Sequence, residues 1–214
     1  MSNDIKGVIF DFGGVISHPQ DQGYVAQIMA LLQVTDRDLF MEVYMDLRSA
    51  YDGGRMGAAE YWQALMDRLD CDPAPVADLI APDIRSWTVI NEDTLSFAED
   101  LRDHGVVTAV LSNMNPEVSG YLARECPWID DFGHLVYSCD VGAVKPEREI
   151  YDICVSRMGL THSECLFLDD TAVNVHAAKQ YGLVARVFEG QKTLNAIKRE
   201  FFRNIFEEKM TQEG

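Results

Sequence analysis

Two adjacent carboxylates, Asp169 and Asp170, follow a wholly apolar run in the sequence. In an apolar setting two such groups repel each other and lose hydration, and both effects cost free energy. Capping of the helix that follows would account for one aspartate but not for both. A hard cation bound through oxygen ligands offsets the cost, so the pair predicts a metal site.

A third carboxylate, Asp11, ends another apolar run near the start of the chain and is followed by Gly13 and Gly14. Glycine permits backbone conformations that other residues resist, and it lets a ligand approach the backbone closely. An aspartate at the end of a strand is also a common turn former or helix cap. This segment alone therefore leaves a structural and a functional interpretation open.

Two further segments could bind an anion. Ser112 and Asn113 end an apolar run, where a hydroxyl and the following backbone N–H can hold an oxyanion; the alternative is capping of a helix that begins near Pro116. Lys145 could offset the charge of clustered carboxylates and a phosphate, although an isolated lysine is more often a surface residue. Pro146 suits the first turn of a helix and holds Lys145 in an extended conformation.

The elements that must position these residues are five apolar runs with the length of buried parallel strands. The predicted strands are 6–11, 106–113, 135–139, 165–169 and 184–188. Helical patterns at 94–103, 116–124, 146–158 and 173–181 separate the later strands and imply βαβ crossovers. The predicted fold class is α/β, with a doubly wound parallel sheet whose ligand-binding edge lies at the carboxyl ends of the strands.

Residues 18–87 interrupt this alternation with a helix-rich segment, which Pro73, Pro75 and Pro82 punctuate towards its end. Because the segment follows the first strand, we expect it to lie above the ligand-binding edge of the sheet. We therefore predict a small helical cap at 18–87 and a catalytic core formed by 1–17 and 88–214. The methionines and aromatic residues of the insert are interpreted as the cap's own hydrophobic core.

Charge and composition limit the classes of partner. The formal net charge of −17 would repel nucleic acid, and it would repel small anions too unless a metal and a local lysine reversed the field. The absence of a membrane-length apolar run, of a basic leader and of paired cysteine motifs predicts a cytoplasmic protein with no membrane partner. The amphipathic stretch 193–209 packs on the core or forms a dimer contact, so both monomer and homodimer stay open.

Together these segments resemble the four motifs of the haloacid dehalogenase (HAD) superfamily of hydrolases. The matching residues follow the family's order: Asp11, Ser112, Lys145, and the pair Asp169 and Asp170. The resemblance covers essentially residues 5–190 and implies a HAD-like Rossmannoid core with a cap inserted after the first motif. It also implies phosphatase chemistry, in which the first aspartate attacks phosphorus and water hydrolyses the resulting aspartyl-phosphate.

Carried over to this chain, the resemblance assigns roles to each motif. Asp11 would be the nucleophile of a Mg²⁺-dependent phosphatase acting on a small phosphorylated metabolite, with Lys145 as its catalytic partner. The implied magnesium ligands are Asp11, the Gly13 carbonyl, Asp170, and Asp169 either directly or through water. The implied phosphate-binding groups are Ser112, the Asn113 amide and Lys145. Magnesium supplies much of the positioning and charge neutralisation that phosphoryl transfer needs.

The chain departs from the family at Gly13, where phosphatases of this family usually carry a second aspartate as general acid and base. The loss argues against phosphomutase activity and favours substrates with better leaving groups, such as a sugar 1-phosphate. The first, second and fourth motifs also resemble the bacterial α-D-glucose-1-phosphate phosphatase branch. His18 is a candidate substitute donor or an exposed loop residue. The loop 52–55, which begins at Asp52, is expected to set substrate specificity, and its Arg55 could contact substrate or lie in solvent.

Two other functions compete with the phosphatase interpretation. A 2-haloacid dehalogenase also uses an aspartate nucleophile, but it needs no metal, and its fourth motif carries serine and asparagine instead of Asp169 and Asp170. Two carboxylates beside a carboxylate substrate would repel it. A non-catalytic HAD-like binding protein would explain Gly13, but not the retention of a costly set of charges.

Overall fold

Five parallel strands form one sheet in the computed structural model, which describes residues 4–206. The strands are β1 (Gly7–Phe10), β2 (Val107–Ser112), β3 (His134–Tyr137), β4 (Cys165–Asp169) and β5 (Val184–Val187). Their order across the sheet is β3-β2-β1-β4-β5, and every neighbouring pair is parallel. All five predicted strands are present, and the predicted fold class is confirmed.

The insert at 18–87 contains four α-helices. They are α1 (Gln22–Leu31), α2 (Arg37–Asp52), α3 (Ala58–Leu69) and α4 (Val76–Trp87). Asp21 and Asp36 begin the first two, because each carboxylate accepts hydrogen bonds from backbone N–H groups of the first turn. The sequence pattern placed Pro82 at the end of the insert, but α4 continues through it; Pro82 is itself buried, and that packing offsets the missing hydrogen bond.

Further α-helices follow in the described residues after the insert. They are α5 (Glu92–Asp103), α6 (Pro116–Glu125), α7 (Ser138–Val141), α8 (Arg148–Met158), α9 (Ala172–Gln180) and α10 (Gln191–Glu200). Pro146 was expected in the first turn of α8, but it precedes the helix, with Glu147 at the cap and a cis peptide after Lys145. The predicted third strand was too long by two residues at its end, since Ser138 and Cys139 begin α7.

Alternate residues of the central strands point to opposite faces of the sheet, and helices cover both faces. Val8 and Phe10 of β1 join a buried cluster with residues of α5, α6 and α10. Ile9 joins a second cluster on the other face, with residues of α8 and α9. This two-sided burial explains why the strands read as continuous apolar runs.

The insert has a hydrophobic cluster of its own, drawn from α1 to α4 and centred on buried aromatic residues such as Tyr44, Tyr61 and Trp62. We propose that 18–87 form a cap with its own core, as the sequence pattern predicts. The chain enters and leaves the insert through two paired segments. Ser17 forms an antiparallel bridge with Ile90, and the His18 N–H donates to the Val89 carbonyl at 2.7 Å.

The end of the chain packs against the sheet's first cluster. The predicted amphipathic stretch divides there, with α10 ending at Glu200 and Phe202, Ile205 and Phe206 contacting that cluster. The last residues of the stretch, up to 209, lie outside the described residues. Across 4–206, no helix combines the length and the apolar character needed to cross a bilayer.

Candidate active site

Asp11 stands at the carboxyl end of β1, at the edge of the sheet where β2 and β4 also end. Its N–H donates to the Leu168 carbonyl at 2.8 Å, which continues the pairing of β1 with β4 for one more residue. Its side chain accepts a hydrogen bond from the N–H of Phe12 at 2.7 Å. The chain then turns at Gly14, whose φ of 74° favours glycine and whose added Cβ would lie 2.2 Å from an Asp170 oxygen. Gly14 therefore lets the turn that follows β1 approach Asp170 closely.

Lys145 joins two of the carboxylates. Its buried Nζ lies 2.7 Å from Asp11 Oδ1 and 2.7 Å from Asp169 Oδ2. The side chain of Asn113 fixes the backbone of Lys145, accepting from its N–H at 2.8 Å and donating to its carbonyl at 3.0 Å. This positioning role of the Asn113 side chain was not anticipated from the sequence.

Asp169 and Asp170 are adjacent in sequence but differ in environment. Asp169 is fully buried, and its oxygens also accept hydrogen bonds from the Thr171 N–H at 2.8 Å and from Asn174 Nδ2 at 3.1 and 3.2 Å. Asp170 is exposed and accepts a hydrogen bond from the Thr171 hydroxyl at 3.1 Å. Asp170 thus keeps oxygen lone pairs that face outward, whereas those of Asp169 are largely engaged.

Oxygen atoms of Asp11, Asp169 and Asp170 all lie within 4.8 Å of one another. With Lys145 beside them, the negative charge of this group exceeds the positive charge by two when all three carboxylates are ionised. Burial raises the pKa of Asp11 to about 8, with Asp169 and Asp170 adding to the effect and Lys145 opposing it. Partial loss of hydration beside the turn after β1 and the negative charge of Asp169 likewise raise the pKa of Asp170.

The pKa of Lys145 is also raised. Burial alone would lower the pKa, but the negative charges of Asp11 and Asp169 outweigh it and raise the pKa above its ordinary value. Lys145 therefore stays an ammonium inside the protein, held by two carboxylates. The arrangement of three oxygen donors around an incompletely neutralised charge suits a hard divalent cation.

A cavity of about 510 Å³ opens over these groups. Its core side includes Asp11, Gly13, Ser112, Asn113, Lys145, Asp170 and Asn174. Every site residue predicted from the sequence thus lies in this cavity or, in the case of Asp169, is bonded to residues that line it. Ser112 lies at the end of β2, and Asn113 follows it, as the strand pattern predicts.

Two residues that the sequence suggested as accessories lie elsewhere. His18 is exposed in the connection to α1 and does not line the cavity. Arg55 is also exposed, and its guanidinium donates to the Ser49 carbonyl at 3.0 Å and does not line the cavity. Asp52, the first residue of the loop expected to set specificity, does line it.

Sequence reasoning missed the main cap contribution to the cavity, which is Arg48 with Trp87. Arg48 is buried and bonds to Asp83, which lies in α4. A signal was present, because Arg48 shares the helical spacing of Tyr44 and Tyr51 on an otherwise apolar face of α2. A charged residue on such a face predicts a buried partner.

Comparison with known proteins adds three findings. A family model described as haloacid dehalogenase-like hydrolase matches residues 5–182. The chain is 27% identical over 186 residues to D-ribitol-5-phosphate phosphatase of Bacteroides thetaiotaomicron, across 83% of this chain and 89% of that protein. Its fold is similar to that of a HAD-like hydrolase from Porphyromonas gingivalis, with a TM-score of 0.74, 24% identity, and coverage of 92% and 97% of the two chains.

A HAD family enzyme from Bacteroides thetaiotaomicron, solved with magnesium and inorganic phosphate, is also similar in fold. The TM-score is 0.72 at 20% identity, and the match covers 89% of this chain and 98% of that one. These two similarities show that the chain shares its overall fold with both structures.

Proposed function

The chain belongs to the haloacid dehalogenase-like hydrolases, and on this basis we propose that it is a magnesium-dependent phosphatase of small phosphorylated metabolites. The observation that carries the proposal is the bridging of Asp11 and Asp169 by Lys145, with Asp170 beside them and a cavity above. A buried carboxylate at the carboxyl end of β1, held in position by an ammonium group, is placed to act as a nucleophile.

The donor set fits magnesium. Three carboxylate oxygens within 4.8 Å of one another form a hard ligand set, and their excess of two negative charges equals the charge of the ion. Asp11, Asp170 and the Gly13 carbonyl would hold it. Asp169 would act through water or as a weaker ligand, because Lys145, Thr171 and Asn174 already engage its oxygens. When bound, magnesium neutralises the charge of the phosphoryl group and helps to orient it.

Asp11 would then carry the chemistry in two steps. One carboxylate oxygen forms a bond to phosphorus while the bond from phosphorus to the substrate oxygen breaks, which leaves an aspartyl-phosphate and an alkoxide that takes a proton from solvent water to become the alcohol. A second water then bonds to phosphorus through its oxygen and gives up a proton to solvent, the bond to Asp11 breaks, and inorganic phosphate leaves. Lys145 holds Asp11 in position throughout, and the Ser112 hydroxyl with the Asn113 N–H would bind the phosphoryl oxygens.

Gly13 bears on the choice of substrate. No side chain at this position can protonate the leaving oxygen, and general acid catalysis contributes about 10²–10⁴ in rate. A sugar 1-phosphate, whose anomeric oxygen departs readily, is therefore the favoured substrate, in line with the resemblance to the α-D-glucose-1-phosphate phosphatase branch. The similarity to a ribitol-5-phosphate phosphatase points instead to a primary ester, so turnover of glucose 1-phosphate should be compared with that of glucose 6-phosphate and ribitol 5-phosphate.

The deciding experiment measures phosphate release from a panel of sugar and polyol phosphates, with magnesium and with chelator. We expect magnesium-dependent release that Asp11→Asn lowers by about 10⁴-fold or more, as loss of a nucleophile does elsewhere. Asp152→Asn is a matched control, since Asp152 is a residue of α8 whose side chain is 43% exposed and which does not line the cavity. Thermal unfolding of both variants checks that they are folded.

Two results would contradict the proposal. Turnover that survives chelation, together with chloride release from 2-chloropropionate, would support the dehalogenase alternative. A complete lack of release from every substrate would favour the binding-protein alternative.

A further inference from the structure

The side of α2 that faces the cavity is apolar at one end and polar at the other. Met45, Arg48, Ser49 and Asp52 recur at spacings of three and four residues and all line the cavity. A cavity of about 510 Å³ has room for a phosphorylated sugar or polyol. Asp11 and this side of α2 thus line one continuous cavity.

Arg48 does not offer a free cation to that organic part. Its Nη1 donates to Asp83 Oδ2 and to the Tyr44 hydroxyl, both at 3.1 Å, and its Nε and Nη2 lie 3.2 Å from the two oxygens of Asp52. Tyr44 and Tyr51 flank the guanidinium, with ring centroids 5.1 and 5.4 Å from its central carbon. One positive charge is thus shared between two carboxylates, and the cap side of the cavity stays negative.

Asp52 is held in place as an acceptor. Besides the two contacts from Arg48, its Oδ1 accepts a hydrogen bond from Asn115 Nδ2 at 3.4 Å. Its backbone carbonyl accepts a hydrogen bond from the Ser138 hydroxyl, which ties the end of α2 to α7. An ionised carboxylate has about four acceptor sites, and these donors occupy three of them. One acceptor site remains for a donor in the cavity that Asp52 lines.

We propose that Asp52 is a specificity-determining residue, which accepts a hydrogen bond from a hydroxyl in the organic part of the substrate and rejects substrates with a second anionic group there. The inference rests on the proposed phosphatase function and gives it a substrate class, the neutral sugar and polyol monophosphates. Arg48 acts as a positioning residue, because it fixes Asp52 and does not reach substrate with a free donor. A like charge placed against the fixed carboxylate would be repelled.

The test compares substrates within single variants, so that it does not depend on the active fraction. Against the best sugar or polyol phosphate of the panel, Asp52→Ala should raise KM by about 10-fold or more, the value of a hydrogen bond to a charged group. Against p-nitrophenyl phosphate, which has no hydroxyl to donate, kcat/KM should stay within about twofold. Asp52→Asn should raise the turnover of 6-phosphogluconate relative to glucose 6-phosphate, because it removes the charge but keeps an acceptor oxygen.

Asp46→Ala is the matched control. Asp46 lies on the same helix and its removal changes the net charge equally, but its side chain is 66% exposed and paired with Arg68. We expect Asp46→Ala to leave two activity ratios unchanged: the best sugar or polyol phosphate against p-nitrophenyl phosphate, and 6-phosphogluconate against glucose 6-phosphate. The isosteric Asp52→Asn keeps the test valid if Asp52→Ala fails to fold.

Equal losses of Asp52 variants on all substrates, or no change on any, would overturn the specificity role. An equal loss would indicate catalysis or folding, and no change would indicate that substrate does not reach α2. Failure of the phosphatase proposal is a different result, in which wild type releases no phosphate from p-nitrophenyl phosphate or from the panel with magnesium present.

Discussion

Two charge clusters face the same cavity, and they are balanced in different ways. In the core cluster (Asp11, Lys145, Asp169, Asp170) one ammonium meets three carboxylates. In the cap cluster (Arg48, Asp52, Asp83) one guanidinium meets two, and aromatic rings enclose it. The donors of Arg48 are matched to acceptors on α2 and α4, whereas Asp170 of the core cluster is exposed and carries unused lone pairs.

The difference indicates what each cluster does for the folded protein. The cap cluster joins α2 to α4, and Arg48 finds its acceptors within the cluster without any ligand, so the loss of Arg48 should act mainly on stability. The core cluster concentrates like charges in a buried site, which lowers stability, and such a cost is typical of functional sites. The proposed cation would offset it. Four changes to the chain would break this contrast or sharpen it.

The largest effect is expected for Arg48→Met. The substitution leaves Asp52 and Asp83 without their cation in a buried site, and we expect the free energy of unfolding to fall by about 3–5 kcal/mol. Urea unfolding measures the loss. Arg68→Met is the control, because Arg68 forms an exposed pair with Asp46 and its loss should change stability by less than about 1 kcal/mol. Equal losses in the two variants would show that the cap cluster is not a stabilising network.

A smaller effect, on rate, is expected for Gly13→Asp. Gly13 has a φ of −66°, and an added Cβ would lie 3.4 Å from the Trp87 ring, an ordinary contact. A carboxyl group there restores the missing acid, so turnover of glucose 6-phosphate should rise by about 10²-fold. Turnover of an aryl phosphate, which needs no acid, should change little. A gain of equal size on both substrates would mean that Gly13 does not limit protonation.

The matched control for this substitution is Gly14→Ala. Gly14 has a positive φ, and its Cβ would collide with Asp170. We expect that variant to lose turnover on both substrates and to unfold at a lower temperature than Gly13→Asp.

Magnesium should stabilise the protein by a moderate amount. At a metal concentration ten times Kd, linkage gives about 1.4 kcal/mol, which for a domain of this size is a rise in Tm of about 3–6 °C. Differential scanning fluorimetry with and without chelator measures the shift. Asp170→Asn should raise the Tm of the metal-free protein, because it relieves repulsion, and should remove most of the magnesium shift. A full shift in that variant would exclude Asp170 as a ligand.

The smallest effect is expected for His18→Ala. His18 belongs to neither cluster, is exposed and does not line the cavity. We expect kcat/KM within about twofold of wild type and an unchanged pH–rate profile. A displaced basic limb of the profile would show that His18 supplies the proton that Gly13 does not.

The carboxylates of the core cluster could be predicted from the sequence because they lie at the ends of strands. Asp11 and Asp169 end apolar runs, and in a parallel sheet the carboxyl ends of strands share one edge. Asn113 followed the same rule, although its bonds to the backbone of Lys145 could not be foreseen, since they join segments 32 residues apart.

The cap cluster could not be predicted in the same way. Helical periodicity shows which face of α2 is apolar, but it does not show which other helix packs against that face. Arg48 and Asp83 are 35 residues apart, and their pairing depends on how α2 and α4 cross. The helix that contains Pro82 was difficult to predict for a related reason. Pro82 is buried within the insert, and this packing outweighs the tendency of proline to end a helix.

The paired connections between the proposed cap and the core have a consequence for how far the length of the insert can vary. Ser17 and Ile90 form a bridge, and the Asn91 N–H donates to the Ile16 carbonyl at 2.9 Å, so the two ends of the insert already touch. Closing a loop whose ends meet in the native state costs entropy that grows only slowly with the length of the loop. A short turn or a longer helical segment could therefore replace the insert without a change in the order or pairing of the strands. A change in the length of the insert therefore need not disturb the edge that holds Asp11.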